Sequence, residues 1–238
     1  MEVHKPRPWH GAREFLKEYL IIVIGVLTAL GAEQVVEWGR WQEKIGVGRD
    51  ALHKEIATNA TYYAFRVTTG PCIVRRLNEL AQITEQLALN RRVEPIHFAG
   101  LHIGNLIIDN AWQAERAEQT LTHLPRAELD RLSQFYAQQE DIRIWDEKEE
   151  EAWATLRMLE GDPNRLAPAD ISALRNALQH ARNLNFLMTL NAKVQLDQAR
   201  SLGVNVPLPR ADGLNGLDVK RACAPLDRSL NPDPMGTP

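Results

Sequence analysis

The sequence predicts an all-α protein: an N-terminal transmembrane helix that continues into a helical bundle, followed by an extended, proline-rich C-terminal tail. An uncharged apolar run occupies residues 19–32. After it, apolar residues recur at the three- and four-residue steps of an amphipathic helix through most of the chain. Prolines and glycines then interrupt residues 204–238, which excludes a regular helix there.

Length and composition are those of one helical domain plus an anchor. The chain has 238 residues, of which 44% are hydrophobic and 25% are charged, as in ordinary globular proteins. Its formal net charge is −3. Proteins that bind nucleic acid usually carry a basic face, so we expect no nucleic-acid partner.

Residues 15–38 form the predicted membrane anchor. A bilayer crossing needs about 20 apolar residues, and apolar and aromatic side chains extend the uncharged run on both sides. Two alternatives stay open: a cleaved signal peptide with Ala29-Leu-Gly31 as the cleavage site, and a buried core helix of a soluble protein. The residues that we expect to mark the anchor are Tyr19, Ile22, Gly25, Ala29 and Trp38.

The absence of a turn signal after Ala32 favours the anchor over a signal peptide. Helical spacing runs on through Trp38, Trp41 and Ile45, so one helix is predicted to leave the membrane and become a stalk. Small residues four apart, Gly25 and Ala29, permit close packing of this helix against another in the membrane.

The distribution of positive charges predicts the orientation. Basic residues are slightly more numerous before the apolar run than after it. We therefore expect a cytoplasmic segment (1–14), the anchor (15–38), a periplasmic helical bundle domain (39–203) and a tail (204–238), in a bacterial inner membrane. The residues counted are Lys5, Arg7, Arg13 and Lys17 on one side and Arg40, Lys44 and Arg49 on the other.

Turn signals divide the bundle domain into predicted helices. Thr68-Thr-Gly-Pro71 predicts a break, with a second helix from Pro71 to Leu87. Residues 91–108 lack helical periodicity and predict a connection. Asn110-Ala-Trp-Gln113 has the form of a capping box, which predicts a short helix from Asn110 to about Leu124.

Two longer helices follow. Pro125 is expected to open a helix that runs to about Glu160, and Gly161-Asp-Pro-Asn164 to form a turn. Pro168 then starts a last helix that ends near Leu202, with Gly203 as its C-terminal cap.

Cys72 and Cys223 are a candidate disulfide. They lie far apart in sequence and form no CxxC motif. Catalytic and free buried thiols are the alternatives, the second of which belongs to a reducing cytoplasm. With the bundle in the periplasm, a disulfide that pins the tail to the helix containing Cys72 accounts best for the pair.

A ligand or partner site is a hypothesis for the region where the irregular connection becomes a helix. Its candidate residues are His97, His102, Asp109 and Trp112. The competing interpretation is a capped helix with Trp112 in the core. The two histidines alone do not complete a metal site, so we expect no metal or cofactor. The acidic stretch of residues 141–151 is interpreted as a solvated charged helix face.

Two stretches together resemble a known group of proteins. The run Tyr19-Leu-Ile-Ile-Val-Ile-Gly-Val-Leu-Thr-Ala-Leu30 leads into a helix that contains Trp38, and Ala111-Trp-Gln-Ala-Glu-Arg-Ala117 precedes a leucine- and aromatic-rich helix. Over roughly residues 10–145 this pattern resembles uncharacterised bacterial single-pass membrane proteins. They share an N-terminal helix of the form LxVxIGVLxAL and a helical domain with an Ala-Trp motif. The resemblance implies the anchor and the helical domain, and it assigns no activity.

The sequence has no GxSxG, GxxxxGK[ST] or GxGxxG signature of common enzyme classes. We therefore expect a non-enzymatic accessory, scaffold or interaction subunit, whose partners are membrane lipid and another membrane protein or a second copy of itself. The alternative is a membrane-tethered ligand-binding or sensor domain with a pocket near His97–Trp112. An enzyme of unfamiliar type is the third hypothesis.

Overall fold

All regular elements are helical in the computed structural model, which describes residues 11–98, 107–206 and 219–226. Within these residues the only β pairing is one isolated bridge between Ile96 and Gly161. The predicted all-α class is therefore confirmed. The α-helices are α1 (Ala12–Ala88), α2 (Asn110–Ala117), α3 (Arg126–Leu156), α4 (Pro168–Ser201) and α5 (Val219–Cys223), with short 3-10 turns at Thr120–His123, Arg157–Leu159 and Pro163–Arg165.

Helix α1 is one uninterrupted helix of 77 residues. At 1.5 Å per residue it is about 115 Å long. Almost every side chain of residues 13–40 is exposed, and Ile45 is the first that is buried. The first part of the helix therefore stands free of the bundle and the second part belongs to it, which confirms that the apolar segment continues into the bundle.

The predicted break at Thr68-Thr-Gly-Pro71 is wrong, because α1 passes through Pro71 without ending. Proline in a helix interior removes one backbone hydrogen bond, but packing on both sides of it compensates. Phe65 and Ile73 are buried, and a Cβ added to Gly70 would lie only 3.0 Å from Oγ1 of Thr189 in α4. Tertiary packing therefore outweighs the local turn signal.

We expect Pro71→Ala to raise the free energy of unfolding by about 1–3 kcal/mol. Alanine restores the backbone N–H donor and removes the clash of the proline ring inside the helix. Urea unfolding of the detergent-solubilised protein, followed by circular dichroism, measures the change. Pro168→Ala is the matched control, since Pro168 lies at the start of α4, where proline is favourable. A lower stability of Pro71→Ala than of the wild type would contradict this expectation.

Helices α3 and α4 complete a three-helix bundle on the second part of α1. Helix α4 runs antiparallel to α1, because Gly70 lies beside Thr189 while Glu85 pairs with Arg175 at 2.9 Å. Helix α4 ends as predicted, with Gly203 at a positive φ of 78° after it. This left-handed conformation is the one that favours glycine after a helix.

The bundle core consists of two apolar clusters, which are separated along the helix axes by buried polar side chains. We call them the lower cluster, next to the free part of α1, and the upper cluster, at the far end. In α1 the lower cluster extends from Ile45 to Ala64 and the upper from Ile73 to Ile83. The larger members of the lower cluster include Leu52, Ile56, Tyr63, Leu132, Phe135, Met188 and Leu196. Those of the upper cluster include Leu77, Leu80, Phe98, Trp153, Leu156, Leu174 and Leu178.

Candidate functional site

Helix α2 is attached to the bundle by one buried carboxylate of α1. The backbone N–H groups of Ala111 and Trp112 donate to the two oxygens of Glu55, at 2.7 Å and 3.2 Å. The hydroxyl of Tyr136 in α3 donates to Oε1 of Glu55 at 2.8 Å. Glu55 therefore provides the N-terminal cap that a short helix lacks on its own.

The predicted capping box of Asn110 and Gln113 is wrong, because the N-cap residue lies one position earlier than predicted. The residue before the helix is Asp109, and Nε2 of Gln113 donates to its Oδ2 at 3.1 Å. Asn110 is the first helical residue and is exposed. A capping box satisfies N-terminal backbone donors from within the chain segment, whereas here the long-range carboxylate of Glu55 does so.

Trp112 and Tyr136 stack beside this cap and form the wall of a small cavity. Their rings are 4.6 Å apart at the centroids, with an interplanar angle of 10°. The cavity has a volume of about 310 Å³. Across it, Nη2 of Arg143 pairs with Oδ1 of Asp109 at 3.0 Å. Its lining is completed by Gln113, Arg116, Ser133, Ala137 and Glu140.

The protonation of this cavity follows from burial and charge. Burial raises the pKa of Tyr136, and the negative charge of Glu55 raises it further, so the phenol stays a donor. Burial also acts to raise the pKa of Asp109, but hydrogen bonds from Gln113 and Arg143 outweigh it and hold that pKa below its usual value. The cavity therefore presents an ionised carboxylate, a guanidinium and an aromatic face.

His97 is not part of this cavity. Phe98, next to His97, packs against Trp153 and lies near Arg76 of α1, whereas Trp112 lies beside Glu55. Twenty-one residues separate those two positions of α1, which is about 30 Å along a helix. The structure therefore does not bring His97 and Trp112 together.

His102 lies outside the described residues. Among the residues that are described, no group of three or more His, Cys, Asp or Glu side chains is arranged to hold a metal ion.

A second polar site lies between the two apolar clusters. The guanidinium of Arg66 donates to both oxygens of Glu149, each at 2.6 Å, and to Oδ1 of Asn185 at 3.2 Å. Arg66 is 1% exposed and Glu149 is 0% exposed at the side chain. Burial acts to lower the pKa of Arg66, but the adjacent Glu149 carboxylate outweighs it and raises that pKa. Arg66 therefore stays charged inside the core, and together with Glu149 and Asn185 it links all three helices of the bundle.

The acidic stretch is consequently not a uniformly solvated face. Glu147, Glu150 and Glu151 are exposed as expected, but Asp146 and Glu149 are buried on the inner face of α3. The three- and four-residue spacing of Ile142, Asp146 and Glu149 places them on one face.

Sequence reasoning also missed Glu55 and Arg66 of α1. The sequence did contain an indication of both, because each charged residue interrupts the apolar stripe of α1. Glu55 lies between Leu52 and Ile56, and Arg66 lies three residues after Tyr63. A charged residue at a core position of an amphipathic helix indicates a buried partner, although it does not identify that partner.

The expectation that prolines and glycines exclude a regular helix from residues 204–238 is wrong for Val219–Cys223, which lie between those prolines and form the short helix α5. The tail returns to α1 there through a disulfide. The sulfur atoms of Cys72 and Cys223 lie 1.97 Å apart and their Cα atoms 5.0 Å apart. Arg75 donates to the carbonyl oxygen of Cys223 at 2.7 Å, and Arg76 donates to that of Ala224. The structure thus holds residues 219–226 against α1, where Leu226 packs against the upper cluster.

We expect Glu55→Ala to lower the free energy of unfolding by about 2–3 kcal/mol. The variant leaves the buried Tyr136 hydroxyl and two α2 amides without their acceptor, and a lost hydrogen bond to a charged group costs about 1.5–3 kcal/mol. Denaturant unfolding of the full chain in detergent measures the loss. Asp50→Ala, an exposed carboxylate in α1, is the control and should change stability by less than about 0.5 kcal/mol. Equal effects of the two variants would contradict the capping role.

No protein-family model, curated protein or solved structure matches the chain. The fold and the described sites therefore define its class by themselves. It is an all-α protein in which one helix is long and apolar enough to cross a membrane and continues into a three-helix bundle.

Proposed function

We propose that this protein is a non-enzymatic, membrane-anchored accessory or interaction subunit with an extracytoplasmic helical domain. The observation that carries the proposal is the free part of α1. Its most apolar 18-residue window has a mean hydropathy of 2.0, and none of that window is buried in the structure. Large apolar side chains on every side of an isolated helix favour lipid as their surroundings.

The two alternatives fit this helix less well. A core helix of a soluble protein would be covered by other elements, whereas Tyr19, Ile22 and Trp38 are 56%, 64% and 65% exposed. A signal peptide cleaved at Ala29-Leu-Gly31 would be cut inside a continuous helix, without the extended junction that such sites usually have.

The disulfide supports an extracytoplasmic bundle. Disulfides persist in oxidising compartments such as the periplasm and are rare in the cytosol. Together with the excess of basic residues before the apolar run, the disulfide favours a cytoplasmic N-terminus and a periplasmic bundle in a bacterial inner membrane.

Non-enzymatic function is supported by how the buried polar groups are used. Glu55 accepts from two helix amides and a tyrosine, and Glu149 accepts from Arg66. Both carboxylates thus hold the bundle together. A general acid or base must reach a substrate proton at hydrogen-bond distance, and these two carboxylates are buried with their oxygens accepting within the bundle.

Fractionation of cells that express the full chain tests the anchor and the compartment. The protein should stay in the membrane pellet after an alkaline carbonate wash, and the mass of its N-terminus should show that residues 19–32 are retained. A membrane-impermeant thiol reagent should label Cys72 and Cys223 in spheroplasts only after reduction. Release by carbonate, cleavage near Ala29, or labelling only after cell lysis would overturn the proposal.

Isolation from native membranes in mild detergent tests the accessory role. A subunit of an assembly should co-purify with at least one other polypeptide at a constant ratio. Purification as a single monomeric chain would overturn this part of the proposal while leaving the anchor intact.

The cavity beside Trp112 favours a ligand-binding or sensor domain as the second candidate function. Arg143 already pairs with Asp109 and Glu140, but the exposed Arg116 also lines the cavity. A planar anionic ligand that stacks on Trp112 and pairs with the Arg116 guanidinium would suit this arrangement. Thermal-shift screening of the full chain in detergent tests this candidate. Saturable stabilisation by a planar carboxylate that is lost in Trp112→Ala would support it. The ligand-binding function would be excluded if the stabilisation were the same in Trp112→Ala, or if no planar carboxylate in the screen stabilised the protein.

A further inference from the structure

An apolar groove runs along the outer seam of α1 and α4. Along α4, Phe186 and Leu190 line the groove and are 64% and 50% exposed, and Val194, 41% exposed, continues their four-residue spacing beyond it. Val74 of α1, 49% exposed, faces the same groove, which has a volume of about 720 Å³. We call this surface, lined by Val67, Gly70, Pro71, Val74, Phe186, Thr189 and Leu190, the α1/α4 groove.

The apolar side chains of the α1/α4 groove lie on a different side of α4 from the core, although the buried Asn185 also contributes to the lining. Gln195, whose side-chain amide donates to the carbonyl oxygen of Phe135 in α3, is nine residues from Phe186 and so lies on the opposite side of α4. Helix α4 therefore has two apolar faces: one packs in the bundle and the other is open. An amphipathic helix that only completes a bundle needs one such face, so the second is available for a further element.

The charged side chains that line the groove are both basic. Arg182 donates to the neutral Oδ1 of Asn78 at 3.1 Å, and Lys193 is exposed. Within the described residues neither forms an ion pair, and no acidic residue lines the groove. The groove thus combines an apolar floor with uncompensated positive charge at its rim.

We propose that the α1/α4 groove binds an amphipathic helix of a different protein, one that carries acidic residues beside its apolar stripe. This inference rests on the proposed function and names the kind of partner that an accessory subunit would need. A fourth helix laid into the groove completes a four-helix bundle, and its apolar residues at three- and four-residue steps match the spacing of Phe186 and Leu190. Glutamate or aspartate on its flanks pairs with Arg182 and Lys193.

Charge and membrane geometry together argue against a second copy as the occupant. Two copies anchored in the same membrane are related by a two-fold axis along the membrane normal, which is nearly parallel to the helices that rise from it. Their α4 helices would then lie side by side and point in the same direction. Lys193 would meet Lys193 of the partner copy and Arg182 would meet Arg182 of the partner copy, without acidic residues between them.

Photocrosslinking in native membranes tests this inference with the full chain. A photoreactive phenylalanine analogue replaces Leu190 in the groove, and a matched control places it at Ile144, an apolar position of α3 that is 40% exposed. We expect a crosslink from position 190 to a different polypeptide, in a segment with helical apolar spacing and acidic flanks. Charge reversal by Arg182→Glu and Lys193→Glu should lower the yield about tenfold or more. Lys148→Glu, an exposed cation of α3, should leave it unchanged.

The outcomes separate this inference from the proposed function. A heterologous crosslink from position 144 but not from position 190 would overturn the groove inference and leave the accessory role standing. A crosslink from 190 to a second copy or to residues 227–238 of the same chain, or one that ignores the charge reversals, would also overturn it. If neither position crosslinks to a different polypeptide and the protein also purifies alone, the proposed accessory role itself is overturned. Unfolding curves of the charge-reversed variants establish that they are folded.

Discussion

Replacing Glu149 with alanine is expected to lower the free energy of unfolding by about 3 kcal/mol or more. The substitution leaves the guanidinium of Arg66 buried without its bidentate partner, and breaking a buried ion pair from one side typically costs 3–5 kcal/mol. Asp146, whose negative charge also raises the pKa of Arg66, remains in the site. Because it still attracts the guanidinium, we expect the loss of stability to lie near the lower end of that range. Urea unfolding monitored by circular dichroism measures the change.

Two further variants isolate the cause. Glu150→Ala removes an exposed carboxylate from the next position of α3 and should change stability by less than about 0.5 kcal/mol. Arg66→Met combined with Glu149→Leu replaces both members of the pair with apolar groups and should lose less than Glu149→Ala, because neither member is left buried without its partner. A double variant less stable than Glu149→Ala would show that the ion pair itself stabilises the fold.

Breaking the disulfide between Cys72 and Cys223 is the second large effect that we expect. The two residues are 151 positions apart. In the loop-closure model, closing a loop of that length lowers the entropy of the unfolded chain and thereby raises its free energy by about 5 kcal/mol. Because measured values usually fall below this model, Cys72→Ser should cost about 2–5 kcal/mol. Denaturant unfolding with and without reductant measures it.

The design of this experiment separates loss of the bond from loss of a side chain. Cys72→Ser, Cys223→Ser and the double variant should be equally destabilised, and reductant should affect only the wild type. Limited proteolysis should cut residues 219–226 faster in all three variants, because the covalent link to α1 is lost while noncovalent contacts, such as the hydrogen bonds from Arg75 and Arg76 and the packing of Leu226, remain. Wild-type stability within about 1 kcal/mol of the variants would contradict a role for the bond in stability.

The polar layer of Arg66, Glu149 and Asn185 has a further consequence for the bundle. It lies where the lower cluster gives way to the upper one, and each of the three helices supplies one member. A slip of one helix by a turn would bury these charges against apolar side chains at a high energetic cost. We therefore expect the layer to favour the observed register of the three helices.

Local patterns in the sequence were sufficient for much of the fold. Helical spacing through Trp38 and Ile45 predicted that the apolar segment continues into the bundle, and Pro168 and Gly203 marked the ends of α4 correctly. These features depend on backbone preferences and on amphipathic periodicity, which act over a few residues. Pro71 shows the limit of such patterns, because the helix packs against α4 and continues through a residue that ends most helices.

The candidate sites depend on contacts that no local pattern encodes. Arg66 and Glu149 are 83 residues apart and Glu55 and Trp112 are 57 apart, so their pairing exists only once α1, α2 and α3 are packed. The sequence by itself determined the helical class, the free apolar segment and most helix ends, because each follows from short-range physics. Only the tertiary structure decided which charges are buried together, which residue caps α2 and which face of α4 stays open, because each depends on where distant helices meet.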